Sequence, residues 1–188
     1  TDAQGREDFT RELTELITQL QNCPCIVLWV PFNEGWGQFD AKNAVRLIRR
    51  LDPTRLIDHA SGWHDQGVSD VKSLHVYFKS YRFRPDKKGR AVVLSEFGGY
   101  NLPVAGHTWN AKNFGYKGYQ TPEALGEAVK TLYETQIIPA RRAGLAADVY
   151  TQLSDVEDEV NGFVTYDRRV EKLPEALMRA IARELKGD

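Results

Sequence analysis

Two hydrophobic rhythms alternate along the chain. Phe9, Leu13, Leu16, Ile17 and Leu20 recur at helical spacing and form one apolar face, which Asn22-Cys23-Pro24 ends. Ile26 to Phe32 is an unbroken apolar run of strand length, the pattern of a strand covered on both faces. Ala41, Ala44, Val45, Ile48 and Leu51 form a second helical stripe. Asp52-Pro53 stops it, because the residue before a proline is pushed out of the helical region. Short strand candidates follow at Arg55 to Ala60, Ser73 to Phe78 and Ala91 to Leu94, the last preceded by the charged turn Pro85-Asp86-Lys87-Lys88-Gly89. Tyr100 to Gln120 is aromatic and glycine-rich, too long for a routine connection, and so marks a functional loop. Thr121-Pro122-Glu123 opens a helix: threonine as N-cap, proline at the first helical position, an acid in the first turn. Leu125, Ala128, Val129, Leu132 and Gln136 keep the helical period, Pro139 is placed to kink its end, and Gly144 stops it. Ala146 to Leu153 is the last strand candidate, and Leu173-Pro174-Glu175 opens a closing helix with Leu177, Ala180 and Ile181 inward.

Short apolar strands mixed with amphipathic helices predict an α/β fold, a parallel sheet covered by helices. A doubly wound sheet and a (β/α)8 barrel both fit. Five strands are visible, whereas a barrel needs eight over about 250 residues. The 188 residues match the usual size of one domain, and there is neither an internal repeat nor a low-complexity stretch.

Composition narrows the function classes. Hydrophobic residues make up 41% of the chain and charged residues 27%, enough for a core under an ordinary surface. With 25 basic and 26 acidic residues the formal net charge is −1, which gives no footprint for nucleic acid or for an anionic membrane surface. The longest apolar run falls far short of the ~20 residues that cross a bilayer. The N-terminus carries neither an initiator methionine nor a signal-peptide pattern and reads as an internal cut in a longer chain, compatible with a periplasmic, secreted or cytoplasmic setting. Cys23 and Cys25, one residue apart, are expected to pack rather than pair. The four histidines are scattered without metal-ligand spacing, so neither a metal nor a cofactor is expected. No Gly-x-Gly-x-x-Gly, Walker or Gly-x-Ser-x-Gly motif is present.

Two carboxylates stand at the ends of apolar strands. Glu34 ends Ile-Val-Leu-Trp-Val-Pro-Phe-Asn-Glu and shares the parity of Leu28, Val30 and Phe32; Glu96 ends Ala-Val-Val-Leu-Ser-Glu and shares that of Val92 and Leu94. On faces that line a barrel, both acids crown its carboxyl end, where barrel enzymes place their sites. Desolvating a carboxylate is costly, and chemistry is one reason to bear that cost. A pair of carboxyls about 5–5.5 Å apart cleaves a glycosidic bond with retention.

Asn22-Cys23-Pro24-Cys25-Ile26 through Trp29 to Asn33-Glu34 resembles the acid segment of glycoside hydrolase family two, which includes β-galactosidases, β-glucuronidases and β-mannosidases. Ser95-Glu96-Phe97-Gly98 resembles the nucleophile segment of that family, and the similarity runs from the first helix to Tyr166-Asp167-Arg168. The resemblance implies a partial (β/α)8 barrel, strands four to eight, across residues 1–188. It implies Glu34 as general acid and base, Glu96 as nucleophile, and Asn33 on the sugar 2-hydroxyl. His75-Val76-Tyr77 resembles the family's His-x-Tyr, which would set Tyr77 on the nucleophile and His75 at the sugar.

Trp36 and Trp63, in Gly35-Trp36-Gly37 and Ser61-Gly62-Trp63, are candidate sugar platforms, whereas Trp29 has the opposite parity and is read as core. His107 and Trp109, in the long loop, are candidates to close over substrate. Gln152, Asp155, Glu157 and Asn161 follow the last strand candidate and could meet sugar hydroxyls; Asp155 and Glu157 also rival the catalytic pair, although acids this dense suit a solvated loop. The expected activity is retaining hydrolysis of terminal β-linked sugars, galactosidase-like, by a longer parent protein. A non-catalytic carbohydrate-binding or structural fragment is the alternative. The partner is carbohydrate, neither nucleic acid nor membrane, and self-association through unpaired barrel edges is expected of the isolated chain.

Overall fold

The structure is a computed structural model that describes residues 2–187. The chain divides into two compact units. The first runs through His75 and adds Pro85–Val93; the second comprises Val76–Arg84 and everything from Leu94 onward.

In the first unit α1 (Ala3–Leu20) is capped by Asp2, whose carboxylate accepts from the Gly5 amide at 2.6 Å. Its apolar stripe buries Leu13 and Ile17 and half-buries Phe9 and Leu20, while Leu16 lies at the edge of the stripe and is 48% exposed. Helix α2 (Ala41–Leu51) buries Ala41, Ala44, Val45 and Ile48 against the same core. Between the helices, the apolar run forms only a two-residue strand, β1 (Leu28–Trp29), paired in parallel with β2 (Leu56–Ile57). The parallel register continues as an isolated bridge between Asn33 and Ser61. Cover on both faces is not observed: Trp29 and Phe32 are buried, but Val27 and Val30 are exposed. Trp29 is core, its indole N–H donating to Asp52 at 2.9 Å. Phe9 stacks on Phe32 with ring centroids 4.9 Å apart, which fixes the approach to Asn33 and Glu34.

Strand β3 (Val71–Val76) alternates buried Val71, Ser73 and His75 with half-buried neighbours. Strand β4 (Ala91–Gly98) is longer than its apolar core predicts and carries Glu96 inside the strand. Within a sheet it neighbours β7 (Ala147–Thr151), which lies with residues 94–98 of β4 in the second unit. In the second unit the aromatic loop is partly regular: β5 (Tyr100–Asn101) and β6 (Lys117–Gly118) pair in parallel. Helix α3 (Pro122–Leu132) starts at the Thr121 cap, widens into a π-helical turn over Tyr133–Ile137 and re-forms as α4 (Ile138–Ala143). Pro139 has no N–H to donate, and the wider turn just before it takes up the broken ladder. Strand β7 (Ala147–Thr151) and α5 (Glu175–Lys186) complete the unit. In α5 Ile181 is buried and Leu177 half-buried, but Ala180 faces outward, contrary to its expected place.

Candidate active site

In the first unit, Glu34 follows the Asn33–Ser61 bridge with φ 53°, a left-handed conformation that is uncommon for a residue with a Cβ. Its amide donates to the Ser61 carbonyl at 2.8 Å, and its own carbonyl accepts from Gln38 Nε2 at 2.9 Å. Both carboxylate oxygens are engaged. Oε1 lies 2.7 Å from His75 Nδ1, and Oε2 accepts from the Trp36 indole at 3.1 Å. His75 has its other nitrogen 2.9 Å from Ser61 Oγ, and its side chain has no exposure. An imidazole bridged between a hydroxyl and a carboxyl can offer either a hydrogen or a lone pair to the acid. Gly62 makes room for it: at φ 89° a side chain is strained, and a Cβ there would lie 2.4 Å from the imidazole. Trp63 is 49% exposed, its ring centroid 6.3 Å from that of His75, and Trp36 is 78% exposed.

In the second unit Tyr77 follows β3 directly, and its phenol donates to Glu96 Oε2 at 2.5 Å. A second hydrogen bond, 3.0 Å long, links the phenol oxygen to Thr151 Oγ1 at the end of β7. Burial first, then the bond to Glu96, pushes the Tyr77 phenol far above its ordinary value, so the hydrogen stays on Tyr77 and faces the carboxylate. Gln152, next in the chain, donates to Glu159 at 3.0 Å and to Asn161 Oδ1 at 2.7 Å, and Asn161 also donates to Glu159 at 3.3 Å.

The neighbouring acids part company. Asp155 is buried in an ion pair with Lys172 at 2.7 Å and also accepts from the Gly162 amide, so this acid is not part of a solvated loop. Burial lowers the Lys172 ammonium from its ordinary value, and the hydrogen bond and charge of Asp155 oppose that. Glu157 is exposed on a turn with φ 50°. His107 pairs with Asp167 at 2.8 Å, and Trp109 packs on Tyr166 with centroids 5.0 Å apart; the two candidates thus tie the long loop to the 165–167 turn. Cys23 is half-buried and Cys25 exposed, both as free thiols.

The candidates thus fall into two groups, each within one unit: Asn33, Glu34, Trp36, Trp63 and His75 in the first, and Tyr77, Glu96, His107, Trp109 and Gln152 in the second. Ser61, Thr151 and Glu159 join them through the hydrogen bonds above, and Tyr116 through its ring stacked on Tyr77, centroids 3.8 Å apart. Thr151 had a signal, since it closes the last apolar strand one residue before Gln152. Tyr116 had none beyond the aromatic character of its loop.

Residues 1–173 match the family of glycosyl hydrolases described as family 2, TIM barrel domain, and the chain belongs to that family. No curated protein matches the chain. Among solved structures, a β-glucuronidase from an uncultured Clostridium species aligns with a TM-score of 0.63 at 18% identity, over 96% of this chain and 36% of its own. A Bacteroides fragilis protein provisionally assigned as a β-galactosidase aligns with a TM-score of 0.65 at 18% identity, over 94% and 31%. Bacteroides uniformis β-glucuronidase 2, solved covalently bound to cyclophellitol-6-carboxylate aziridine, aligns with a TM-score of 0.63 at 15% identity, over 97% and 26%. At these identities the likeness is one of fold. The chain spans roughly a third or less of the length of these structures.

Proposed function

We propose that the protein carrying this chain is a retaining β-glycosidase that removes terminal β-linked sugars, with Glu96 as nucleophile and Glu34 as general acid and base. The observation that supports it most is the 2.5 Å hydrogen bond from Tyr77 to Glu96, since a donor on a carboxylate favours its ionised, nucleophilic form. In the first step a Glu96 oxygen bonds to the anomeric carbon as the bond to the leaving oxygen breaks, and that oxygen takes the proton of Glu34. In the second, Glu34 takes a proton from water, whose oxygen displaces Glu96 from the sugar. The bridging imidazole of His75 suits a carboxyl that alternates between acid and base. Asn33 is assigned to the 2-hydroxyl, Trp36 and Trp63 to the sugar's C–H faces, and His107 and Trp109 to the rim of the site.

The sugar is proposed to be a neutral hexose, galactose-like. The polar groups beside Thr151 are the amides Gln152 and Asn161 around the carboxylate Glu159, a setting that disfavours the negative charge of a uronic acid. The chain is proposed to supply strands four to eight of the barrel. A panel of aryl β-glycosides tested on the full-length protein checks the sugar and the retaining outcome: the galactoside is expected to be the best substrate, releasing first the β-anomer. Release of the α-anomer, or preference for a glucuronide, would contradict it.

A further inference from the structure

Around the donor to Glu96 the second unit carries aromatic rings that the proposed chemistry leaves unused. Tyr116 lies flat on Tyr77, with ring centroids 3.8 Å apart and planes within 1°. Phe78 meets Tyr116 edge-on at 5.4 Å and 66°, and Phe114 does so at 5.4 Å and 71°. Yet Phe78 is 84% exposed and Phe114 49%. A single exposed phenylalanine is ordinary; a contiguous group of rings stacked on the nucleophile's own hydrogen-bond donor calls for an occupant.

The backbone holds this group in place. The Tyr116 amide donates to the Gly99 carbonyl at 3.1 Å, and Phe114 exchanges backbone bonds with Asp158 and Val160. Gly99 has φ 64°, and a Cβ there would lie 2.3 Å from the Tyr116 ring, so glycine permits the approach.

We propose that Phe78, Tyr116 and Phe114 form the leaving-group subsite, which takes a planar apolar face: the ring of an aryl aglycone or the C–H face of a second sugar. The inference rests on Glu96 being the nucleophile. The cleaved sugar presents several hydroxyls and calls for polar partners, and those stand at the end of β7 in Gln152, Glu159 and Asn161. The three rings carry one hydroxyl between them, that of Tyr116, and otherwise offer π-faces and edges, which suit a flat apolar surface.

The test is the double variant Phe78→Ala/Phe114→Ala of the full-length protein, assayed on an aryl β-glycoside, a β-linked disaccharide and a β-glycosyl fluoride of the same sugar. Because fluoride is too small to reach a stacking platform, kcat/KM for the aryl glycoside, the disaccharide or both is expected to fall about tenfold more than for the fluoride. The substrate that suffers identifies which leaving group the rings take. Phe78→Tyr, which keeps a ring at the exposed position, is expected to retain most of the wild-type discrimination. Equal loss on all three substrates, or loss on none, overturns the subsite while leaving Glu96 as nucleophile. A wild-type protein that hydrolyses none of the three overturns the glycosidase proposal, and the subsite with it.

Discussion

The phenol hydrogen of Tyr77 is the residue-scale feature on which the proposed chemistry turns. Tyr77→Phe removes the donor at 2.5 Å from Glu96 and leaves the aromatic stack on Tyr116 intact. The expected loss in kcat is on the order of 10²-fold, by analogy with removal of one preorganised donor. Steady-state kinetics of the variant check it; an unchanged kcat would contradict the assignment. Glu34, Glu96 and Tyr77 stood out as candidates because each lies at or near the end of an apolar run, where parity assigns a face. Tyr116 and Glu159 were not, because a flat ring stack and an amide–carboxylate cluster between loops leave no periodic trace. Asp155 shows the opposite failure. Its acidic surroundings suggest solvent, but the Lys172 that buries it lies beyond a turn and a loop in the sequence.

Elements were legible where a helix had a stripe and a cap. Thr121 accepts a single hydrogen bond, from the Ala124 amide at 3.2 Å, yet with Pro122 it fixes the start of α3. Strand extents were less legible. The Ile26 to Phe32 run contracts to two paired residues because β2 pairs with it over Leu56–Ile57 alone, while β4 extends through Glu96. The long loop belongs to neither rhythm. His107 and Asp167 pin it to the turn after β7, and the Thr165 hydroxyl first, then His107, hold the Asp167 carboxyl down to about 2 from an ordinary 3.8. A depressed acid stabilises the folded state above its unfolded pKa and loses that contribution as pH falls toward its folded value. The urea midpoint is thus expected to drop between pH 5 and pH 2.5 by more in the wild type than in Asp167→Asn. Equal drops would show that the contact contributes nothing.

For the whole molecule, alternating helices and short strands indicated an α/β fold but could not choose between a barrel and a doubly wound sheet; the motifs around Glu34 and Glu96 made that choice, and the family match agrees. Family membership brings the barrel, and the solved structures bring the scale, since the chain aligns with 26–36% of the length of the three compared above. The proposed placement as strands four to eight of a barrel would leave two edges unpaired. The isolated 188-residue chain is accordingly proposed to self-associate and to turn over aryl β-glycosides little or not at all. Light scattering of a strict monomer would contradict the first part and full turnover the second. The central claim, that Glu96 is the nucleophile of a retaining glycosidase, is tested most directly by trapping. The full-length protein would be incubated with a 2-deoxy-2-fluoro-β-glycosyl fluoride and its peptides mapped by mass spectrometry. A covalent sugar on Glu96 is the expected result; an adduct on Asp155, Glu157 or any other residue would contradict it.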